Sequence, residues 1–240
     1  MKRFQFREAI LHEDNHLIVL DKPAGISSLD ERWNDSPSIQ RFAEDYFADA
    51  QLCHRLDKDT SGLLLIAKDP DTYRDISILF EQRQIHKIYW AVADGRHYFE
   101  ELNIDLPLSV TARGKAKVDK QKGKEASTRF KVLESFRHFA LIECEPFTGR
   151  LHQIRIHLSS ANAPISMDTV YGGKEPMLAE IKRNFNYSKW RNPNPMIMRM
   201  ALHAKSLNFE LNGVKHSYEA PLPKDFDVFL KLLRKYDAIS

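Results

Sequence analysis

The sequence contains only two cysteines, Cys53 and Cys144, among 240 residues. Because they form no CxxC or other metal-ligand spacing and could not build a disulfide framework, a reducing cytoplasm suits the chain. No apolar run approaches the roughly 20 residues of a membrane span. Gln5, Arg7 and Glu8 interrupt the apolar positions near the start, which argues against a secretory signal. We therefore expect a folded cytoplasmic protein with no membrane association.

A strong charge of one sign is also missing, since the net charge is +3 and the isoelectric point is near 8.7. The distribution of charge is more informative than the average. Residues 111–125, TARGKAKVDKQKGKE, carry six basic residues, and we expect them to form a mobile cationic loop. Composition alone fits an ordinary solvated loop equally well. Residues 182–199 mix basic side chains with Phe185, Tyr187 and Trp190, and that combination suits RNA, because cations bind phosphates and aromatic rings stack on bases.

Helices are indicated at four places by capping residues and by apolar residues at helical spacing. The first follows possible caps at Asn34–Ser36, with Pro37 suited to the first helical position. The second begins at Asp69-Pro70, and the third is capped near Thr148. The inner residues that we expect are Tyr73, Ile76 and Phe80 in the second helix, Leu151, Ile154, Leu158 and Ala161 in the third, and Phe229, Leu230 and Leu233 in a last helix at about 225–236.

Strands are predicted at 17–20, 88–93, 126–132 and 139–144, and Asn212-Gly213 predicts a hairpin turn. The chain shows no internal repeat and no obvious linker. We therefore expect an α+β fold in which a mixed, mainly antiparallel sheet is flanked by helices, with residues 1–240 forming a single domain.

The segment LCHRLDKDTSGLLLIAKD, residues 52–69, places Asp57 just before the apolar run 63–67. Asp57 could be a structural ion pair or a turn residue. Residues 57–61 also resemble the DxDxT signature of aspartyl phosphatases, but that signature follows an apolar strand, whereas here the apolar run comes after it. A Cys53–His54 nucleophile and base pair fails because adjacent residues of an extended chain point to opposite faces.

Several motifs in a fixed order resemble the RluA-type RNA pseudouridine synthases. They are LDKPAG (20–25), HRLDKDTSGLLLIAK (54–68), KIYWAVADG (87–95), TGRLHQIRIHL (148–158), PISMDTVYGG (164–173) and ALHAKSLNFE (201–210). The resemblance covers roughly residues 10 to 226. We expect a stand-alone catalytic domain without the amino-terminal RNA-binding module of many relatives. One departure is Met167, where relatives usually have glycine before Asp168.

The resemblance implies the pseudouridine synthase fold and the isomerisation of a uridine in ribosomal or transfer RNA. Asp57 matches the family's indispensable aspartate, which attacks C1′ or C6 or removes the 2′ proton. Arg155 matches the arginine that keeps this carboxyl ionised, and we expect its side chain to point away from the core face of its helix; otherwise it is a surface cation. Tyr89 matches the aromatic residue that packs on the target base, although it could be an ordinary core tyrosine.

Arg55 lies two residues from Asp57 and could stack where an extruded uridine had been, or instead contact a phosphate or Asp59. Further RNA contacts are expected from Arg150, His152, Lys115 and Lys117. We predict neither a cofactor nor a metal, because isomerisation needs no redox group and His54, His152 and His157 have no metal spacing. We expect these histidines to form hydrogen bonds, and we expect a monomer. A non-catalytic RNA-binding protein of the same fold is the alternative function, and an aspartyl phosphatase is the third.

Overall fold

A computed structural model of the chain describes residues 4–31, 36–112, 114–183, 185 and 194–239. The fold is α+β, as predicted, with a mixed and mainly antiparallel arrangement of strands. The helices are α1 (Ile39–Tyr46), α2 (Pro70–Glu81), α3 (Gln153–Ser160), α4 (Leu178–Ile181) and α5 (Lys224–Tyr236), with a 3-10 turn at Phe6–Ala9. No helix among the described residues is long and apolar enough to cross a membrane.

The strands are β1 (Ile10–Glu13), β2 (Leu17–Lys22), β3 (Gln51–Leu52), β4 (Ser61–Ala67), β5 (His86–Asp94), β6 (Leu102–Asp105), β7 (Leu108–Val110), β8 (Ala116–Val118), β9 (Ser127–Ser135), β10 (Phe139–Pro146), β11 (Leu202–Leu211) and β12 (Val214–Glu219). The chain divides into two compact units, Met1–Lys87 with His203–Pro221 and Ile88–Leu202 with Leu222–Ser240. That residues 1–240 act as one catalytic domain stays a prediction.

The first unit is built around β4, all of whose residues are buried. β4 pairs antiparallel with β2 and β3, and in parallel with β11 at His203↔Ser61 and Ala204↔Gly62. β11 turns into β12 through Asn212-Gly213, where both residues have positive φ, so the predicted hairpin is confirmed. Apolar side chains of β2, β4, α2 and β11 form the core of this unit.

The second unit contains the antiparallel strands β5, β10, β9 and β6 in that order. α5 packs Phe226, Phe229, Leu230 and Leu233 into its core, so the predicted inner face of this helix is confirmed and is extended by Phe226. The predicted strands 88–93, 126–132 and 139–144 all lie within or overlap observed strands.

The helix starts were predicted with mixed success. α2 begins at Pro70 with Asp69 as its cap, as predicted, because the Asp69 carboxylate accepts the Thr72 amide. Tyr73, however, is 37% exposed, and Leu79 joins Ile76 and Phe80 in the core instead. The start predicted for α1 was wrong: α1 begins at Ile39, because Ser38 accepts the Arg41 amide. Asn34 and Asp35 lie outside the described residues.

Candidate active-site residues and RNA-contacting surface

Asp57 lies in the segment that connects β3 to β4 in the first unit. Its side chain is partly exposed, whereas Leu56 and Thr60 on either side are buried. The Thr60 amide donates to the Asp57 carbonyl oxygen at 3.1 Å and closes a turn directly before β4. Asp57 therefore lies near the surface in a turn whose flanking residues, Leu56 and Thr60, are buried.

Two hydrogen-bonded contacts hold the backbone on either side of Asp57. The buried Ser28 hydroxyl donates to the Leu56 carbonyl at 2.8 Å and accepts the Leu56 amide at 3.0 Å. On the other side, the Gly25 amide donates to the Lys58 carbonyl at 2.8 Å. Such contacts keep a reactive group in one geometry. Sequence reasoning missed Ser28, which lies outside the quoted motifs.

The Lys22 ammonium reinforces the second contact from inside the protein. Lys22 is fully buried, and its Nζ donates to the carbonyl oxygens of Pro23 (2.9 Å), Ile26 (2.7 Å) and Lys58 (3.0 Å). A buried cation is tolerated when its donors are satisfied in this way. The motif LDKPAG contains Lys22, but its letters alone do not show that the side chain turns inward.

The first residues of β4 are fixed from the β11 side. Ser61 Oγ lies 2.9 Å from Nδ1 of His203, and both residues are buried. Gly62 follows with φ +108°, and a Cβ atom there would lie 2.2 Å from the Ala204 carbonyl oxygen. The TSG sequence after Asp57 therefore permits the close approach of β11.

His54 and Cys53 do not form a nucleophile and base pair. Burial, with a smaller contribution from the Lys87 ammonium, lowers the pKa of His54 to about 3. Its Nε2 accepts the Leu65 amide at 3.1 Å. Burial also raises the pKa of the Cys53 thiol to about 12. A neutral histidine that accepts a backbone amide and a thiol that stays protonated have structural roles.

Tyr89 and Arg155 belong to the second unit. Tyr89 is partly exposed on β5, opposite Cys144 of β10, and packs against the core. Arg155 of α3 forms a bidentate ion pair with Asp168, with Nε–Oδ2 at 2.7 Å and Nη2–Oδ1 at 2.8 Å. Its side chain is only 11% exposed. Arg155 is therefore not the surface cation of the alternative interpretation, and sequence reasoning missed Asp168 as its partner although PISMDTVYGG contains it.

The start predicted for the helix that carries Arg155 was also wrong. α3 begins at Gln153 after His152, which has φ +54°. Thr148 is not the cap: its hydroxyl accepts the Ser127 amide and donates to the Gln153 side-chain oxygen. Ile154 and Leu158 are buried as predicted, whereas Leu151 and Ala161 are only partly buried.

His157 and Gln153 join α3 to β9 by side-chain hydrogen bonds. Gln153 Nε2 donates to the Ser127 carbonyl and to Thr128 Oγ1, both at 2.9 Å. His157 lies 2.9 Å from Thr128 Oγ1 and 3.0 Å from the Leu106 carbonyl oxygen. Burial lowers the pKa of His157. The prediction that His54, His152 and His157 form hydrogen bonds is confirmed.

The cationic segment 111–125, which we expected to be a mobile loop, contains a short strand, β8. β7 and β8 form a hairpin with Leu108 opposite Val118 and Val110 opposite Ala116, and Lys124 bridges back to Leu108. The signal was the alternation of apolar residues between the lysines. Five lysines of this segment are exposed, namely Lys115, Lys117, Lys120, Lys122 and Lys124. Arg113 lies outside the described residues.

The remaining predicted RNA-contacting residues differ in their surroundings. Arg55 is exposed, whereas Arg150 is partly buried and its Nε donates to the Glu125 carbonyl at 2.9 Å, at the end of the cationic segment. His152 Nδ1 lies 2.9 Å from the Tyr171 hydroxyl. Of the second basic stretch, residues 184 and 186–193, which include Tyr187 and Trp190, lie outside the described residues.

Met167, at the position where the resemblance predicts glycine, has an unusual backbone conformation. It has φ +68°, in the left-handed region where glycine is favoured, and it is followed by Asp168, whose amide donates to the Ile165 carbonyl at 2.9 Å. The turn is therefore formed with methionine in a strained conformation. Within the described ranges, no group of three or more His, Cys, Asp or Glu residues could hold a metal ion.

Comparisons with known proteins show the family of this chain. The family model for RNA pseudouridylate synthases matches residues 16–160. The chain is 35% identical over 235 residues to ribosomal large subunit pseudouridine synthase C of Buchnera aphidicola, covering 95% of this chain and 70% of that protein. It is 31% identical over 249 residues to ribosomal large subunit pseudouridine synthase D of Borreliella burgdorferi, covering 97% of this chain and 70% of the relative.

A solved structure shares the fold across nearly all of both chains. The human RNA pseudouridylate synthase domain containing 4 superimposes with a TM-score of 0.76 at 28% identity, covering 95% of this chain and 94% of that one. Together with the relatives, this likeness extends well beyond the motif around Asp57. The chain therefore belongs to the RNA pseudouridylate synthase family and is an isomerase.

Proposed function

We propose that this enzyme isomerises a specific uridine in ribosomal RNA to pseudouridine, with Asp57 as the catalytic carboxylate. The choice of ribosomal RNA is supported by the names of the relatives, which act on the large ribosomal subunit. The reaction breaks the bond between N1 and C1′, turns the base and rejoins it through C5. No atoms are gained or lost, so the protein must supply a reactive group, a place for the base and RNA contacts.

The observation that supports Asp57 is the contrast between its accessible side chain and its fixed backbone. Asp57 is partly exposed, while Ser28 holds Leu56 and both Gly25 and Lys22 hold Lys58. Preorganisation of this kind is typical of a group that must meet its substrate in one geometry. An ordinary turn aspartate needs no such support on both sides.

The other roles follow from the family resemblance. Tyr89 packs on the target base, and Arg155 supplies the guanidinium that favours the ionised form of the catalytic carboxyl. Lys115, Lys117, Arg150 and His152 contact the RNA backbone and its neighbouring bases, because cations next to aromatic or imidazole rings suit single-stranded RNA. The ion pair of Arg155 with Asp168 supports a fixed position for the guanidinium.

The decisive experiment compares two aspartates of the same segment. We expect Asp57→Asn to lower kcat by about 10⁴-fold or more, as loss of an essential catalytic group does. Affinity for the RNA should stay within about tenfold, because phosphate contacts dominate binding. The measurement is single-turnover formation of pseudouridine in an unmodified large-subunit ribosomal RNA transcript, with RNA binding measured by filter retention.

Asp59→Asn is the matched control, since Asp59 is exposed two residues further along the same segment. We expect it to keep its rate. Full turnover by the Asp57 variant would refute the catalytic role, and a wild-type protein that binds this RNA without modifying any RNA would instead favour the non-catalytic alternative.

We further propose that the exposed Arg55 stacks in the space left by the extruded uridine. Arg55→Lys keeps the charge and removes the flat guanidinium. On a uridine in a stem we expect kcat/KM to fall about tenfold, which corresponds to part of the few kcal/mol that base extrusion costs. On a uridine in a flexible loop it should change less than about twofold, because little extrusion is needed. An equal loss on both substrates would exclude this role and favour a phosphate contact.

A further inference from the structure

Tyr171 lies where three parts of the second unit meet. Its hydroxyl contacts the β7–β8 hairpin and His152, and its ring lies under the guanidinium of Arg155, with the central carbon 5.0 Å from the ring centre. Its carbonyl oxygen accepts the Ser159 hydroxyl of α3 at 2.7 Å. This tyrosine is therefore fixed to α3 on one side and holds the hairpin on the other.

The contact with the hairpin is made to backbone atoms. The Tyr171 hydroxyl accepts the Ala116 amide at 3.1 Å and lies 3.2 Å from the Ala116 carbonyl oxygen. Ala116 is 5% exposed, while Lys115 and Lys117 on either side are exposed. Because side chains alternate along a strand, the inward-facing Ala116 fixes the direction in which both lysines leave the hairpin.

The apolar support of the hairpin is small, which makes the hydroxyl contact important. Leu108 and Ala126 are buried against Ile156 of α3, and the only described partly buried side chains that pack on this cluster are Val118 and Tyr171. A two-stranded hairpin has little stability of its own. Its order consequently depends on the backbone bonds between Leu108 and Lys124 and on side-chain contacts such as that of the Tyr171 hydroxyl.

We propose that Tyr171 is a positioning residue that sets RNA affinity by holding the lysines of the β7–β8 hairpin in place. This inference rests on the proposed function, since it takes Lys115 and Lys117 as RNA contacts. A hairpin that is already ordered presents its lysines to the RNA without a free-energy cost of ordering. A disordered hairpin must first become ordered, and this cost weakens binding. Tyr171 thus acts through the hairpin and has no contact with the reacting atoms.

Tyr171→Phe isolates the hydroxyl, because phenylalanine keeps the ring under Arg155. We expect KM for the large-subunit RNA transcript to rise about fivefold with kcat unchanged, since a hairpin that loses the hydrogen bonds of this hydroxyl binds more weakly by about that factor. The slope of log affinity against log salt concentration should become shallower by about one unit as phosphate contacts are lost. Tyr98→Phe, at a tyrosine that is 58% exposed, is the matched control and should change neither quantity.

A double-mutant cycle tests whether Tyr171 acts through the lysines. In a variant with Lys115→Ala and Lys117→Ala, the further change Tyr171→Phe should have a much smaller effect on KM, because the loss of the bond between the hydroxyl and His152 is then what remains to weaken RNA binding. Two effects that simply multiply would overturn the proposal, because they would show that the hydroxyl acts independently of these lysines. A fall in kcat with an unchanged KM in Tyr171→Phe alone would overturn it as well.

Hydrogen exchange measures the order of the hairpin without depending on enzyme activity. In Tyr171→Phe the Ala116 amide should exchange at least about tenfold faster, because local opening of the hairpin becomes easier, while amides of α3 keep their protection. Unchanged protection at Ala116 would overturn the proposal even if KM changed. If the wild-type protein modifies no ribosomal RNA, the proposed function fails, and the exchange result still decides whether Tyr171 holds the hairpin.

Discussion

At the residue scale, the Lys22 ammonium is a buried positive charge that holds the backbone next to Asp57. Its ammonium bonds three carbonyl oxygens, including that of Lys58. A methionine of similar length would leave these oxygens without that donor. Hydrogen bonds to charged groups contribute about 1.5–3 kcal/mol each, so a single buried side chain has a large effect here.

We expect Lys22→Met to lower the free energy of unfolding by about 3 kcal/mol, measured by urea denaturation, because buried acceptors lose a charged donor. We also expect kcat to fall while KM for the RNA stays nearly the same, since Asp57 loses part of its support. Lys215→Met, at an exposed position on β12, is the control and should change neither. Unaltered stability in Lys22→Met would contradict the buried position of this ammonium.

His54 provides a test by pH. Burial lowers its pKa to about 3, below the value of an unfolded chain, so the native state prefers the neutral form. The unfolded chain therefore binds more protons between the two pKa values, and the contribution of His54 to stability is complete above about pH 6.5 and decreases as the pH falls toward 3.

We expect His54→Gln to remove this dependence while keeping an acceptor for the Leu65 amide. Between pH 7 and pH 5 the wild-type protein should lose about 2 kcal/mol more stability than the variant, as the difference between the pKa values requires. Urea denaturation at the two pH values measures it. Equal losses in both proteins would mean that His54 can become protonated in the folded state.

At the scale of elements, the pairing of β4 with β11 depends on a glycine. A Cβ atom at Gly62 would meet the Ala204 carbonyl oxygen, whereas Gly213 in the β11–β12 turn has φ +77° and nothing within 4 Å. A substitution at Gly62 therefore introduces a steric clash as well as backbone strain, whereas a substitution at Gly213 introduces backbone strain alone. Both belong to the first unit, so unfolding of the same unit reports on them.

We expect Gly62→Ala to cost about 4 kcal/mol of unfolding free energy, because backbone must move in addition to the strain of positive φ. Gly213→Ala should cost only about 1 kcal/mol from strain alone. Thermal and urea unfolding of both variants are the measurements. Similar costs at the two positions would contradict the close approach of β11 to β4.

How far the sequence predicts an element depends on whether its signal is local. Asp69-Pro70 and Asn212-Gly213 were predicted correctly because caps and turns depend on neighbouring residues. The start of α3 was not, because Gln153 and Thr148 bond β9 residues that are distant in sequence. The β7–β8 hairpin was missed since exposed lysines outnumber its few apolar residues, and its support by Tyr171 comes from another part of the chain.

The site follows the same rule. Asp57, Tyr89 and Arg155 could be named from motifs, but no local pattern shows that Asp168 pairs with Arg155 or that Ser28 bonds both backbone groups of Leu56. These partners are separated by 13 and 28 residues. The motifs led to the proposal of these chemical groups, and the fold was needed to find what holds them.

At the scale of the whole molecule, we propose that this member of the RNA pseudouridylate synthase family modifies ribosomal RNA through Asp57. The proposed RNA contacts are supported by the exposed cations of the hairpin. Selection of one uridine among many requires several such contacts, because phosphate contacts alone do not distinguish sequences. The target uridine can therefore be found most directly by comparing all candidate uridines together in the cell.

The most direct test is to map pseudouridines in ribosomal and transfer RNA from cells that lack this chain and from the same cells supplied with the wild-type protein, Asp57→Asn or Asp59→Asn. The account predicts that a specific ribosomal pseudouridine disappears without the chain and returns with the wild-type protein and Asp59→Asn, but not with Asp57→Asn. A pseudouridine restored by the Asp57 variant, or an unchanged map in cells without the chain, would contradict it.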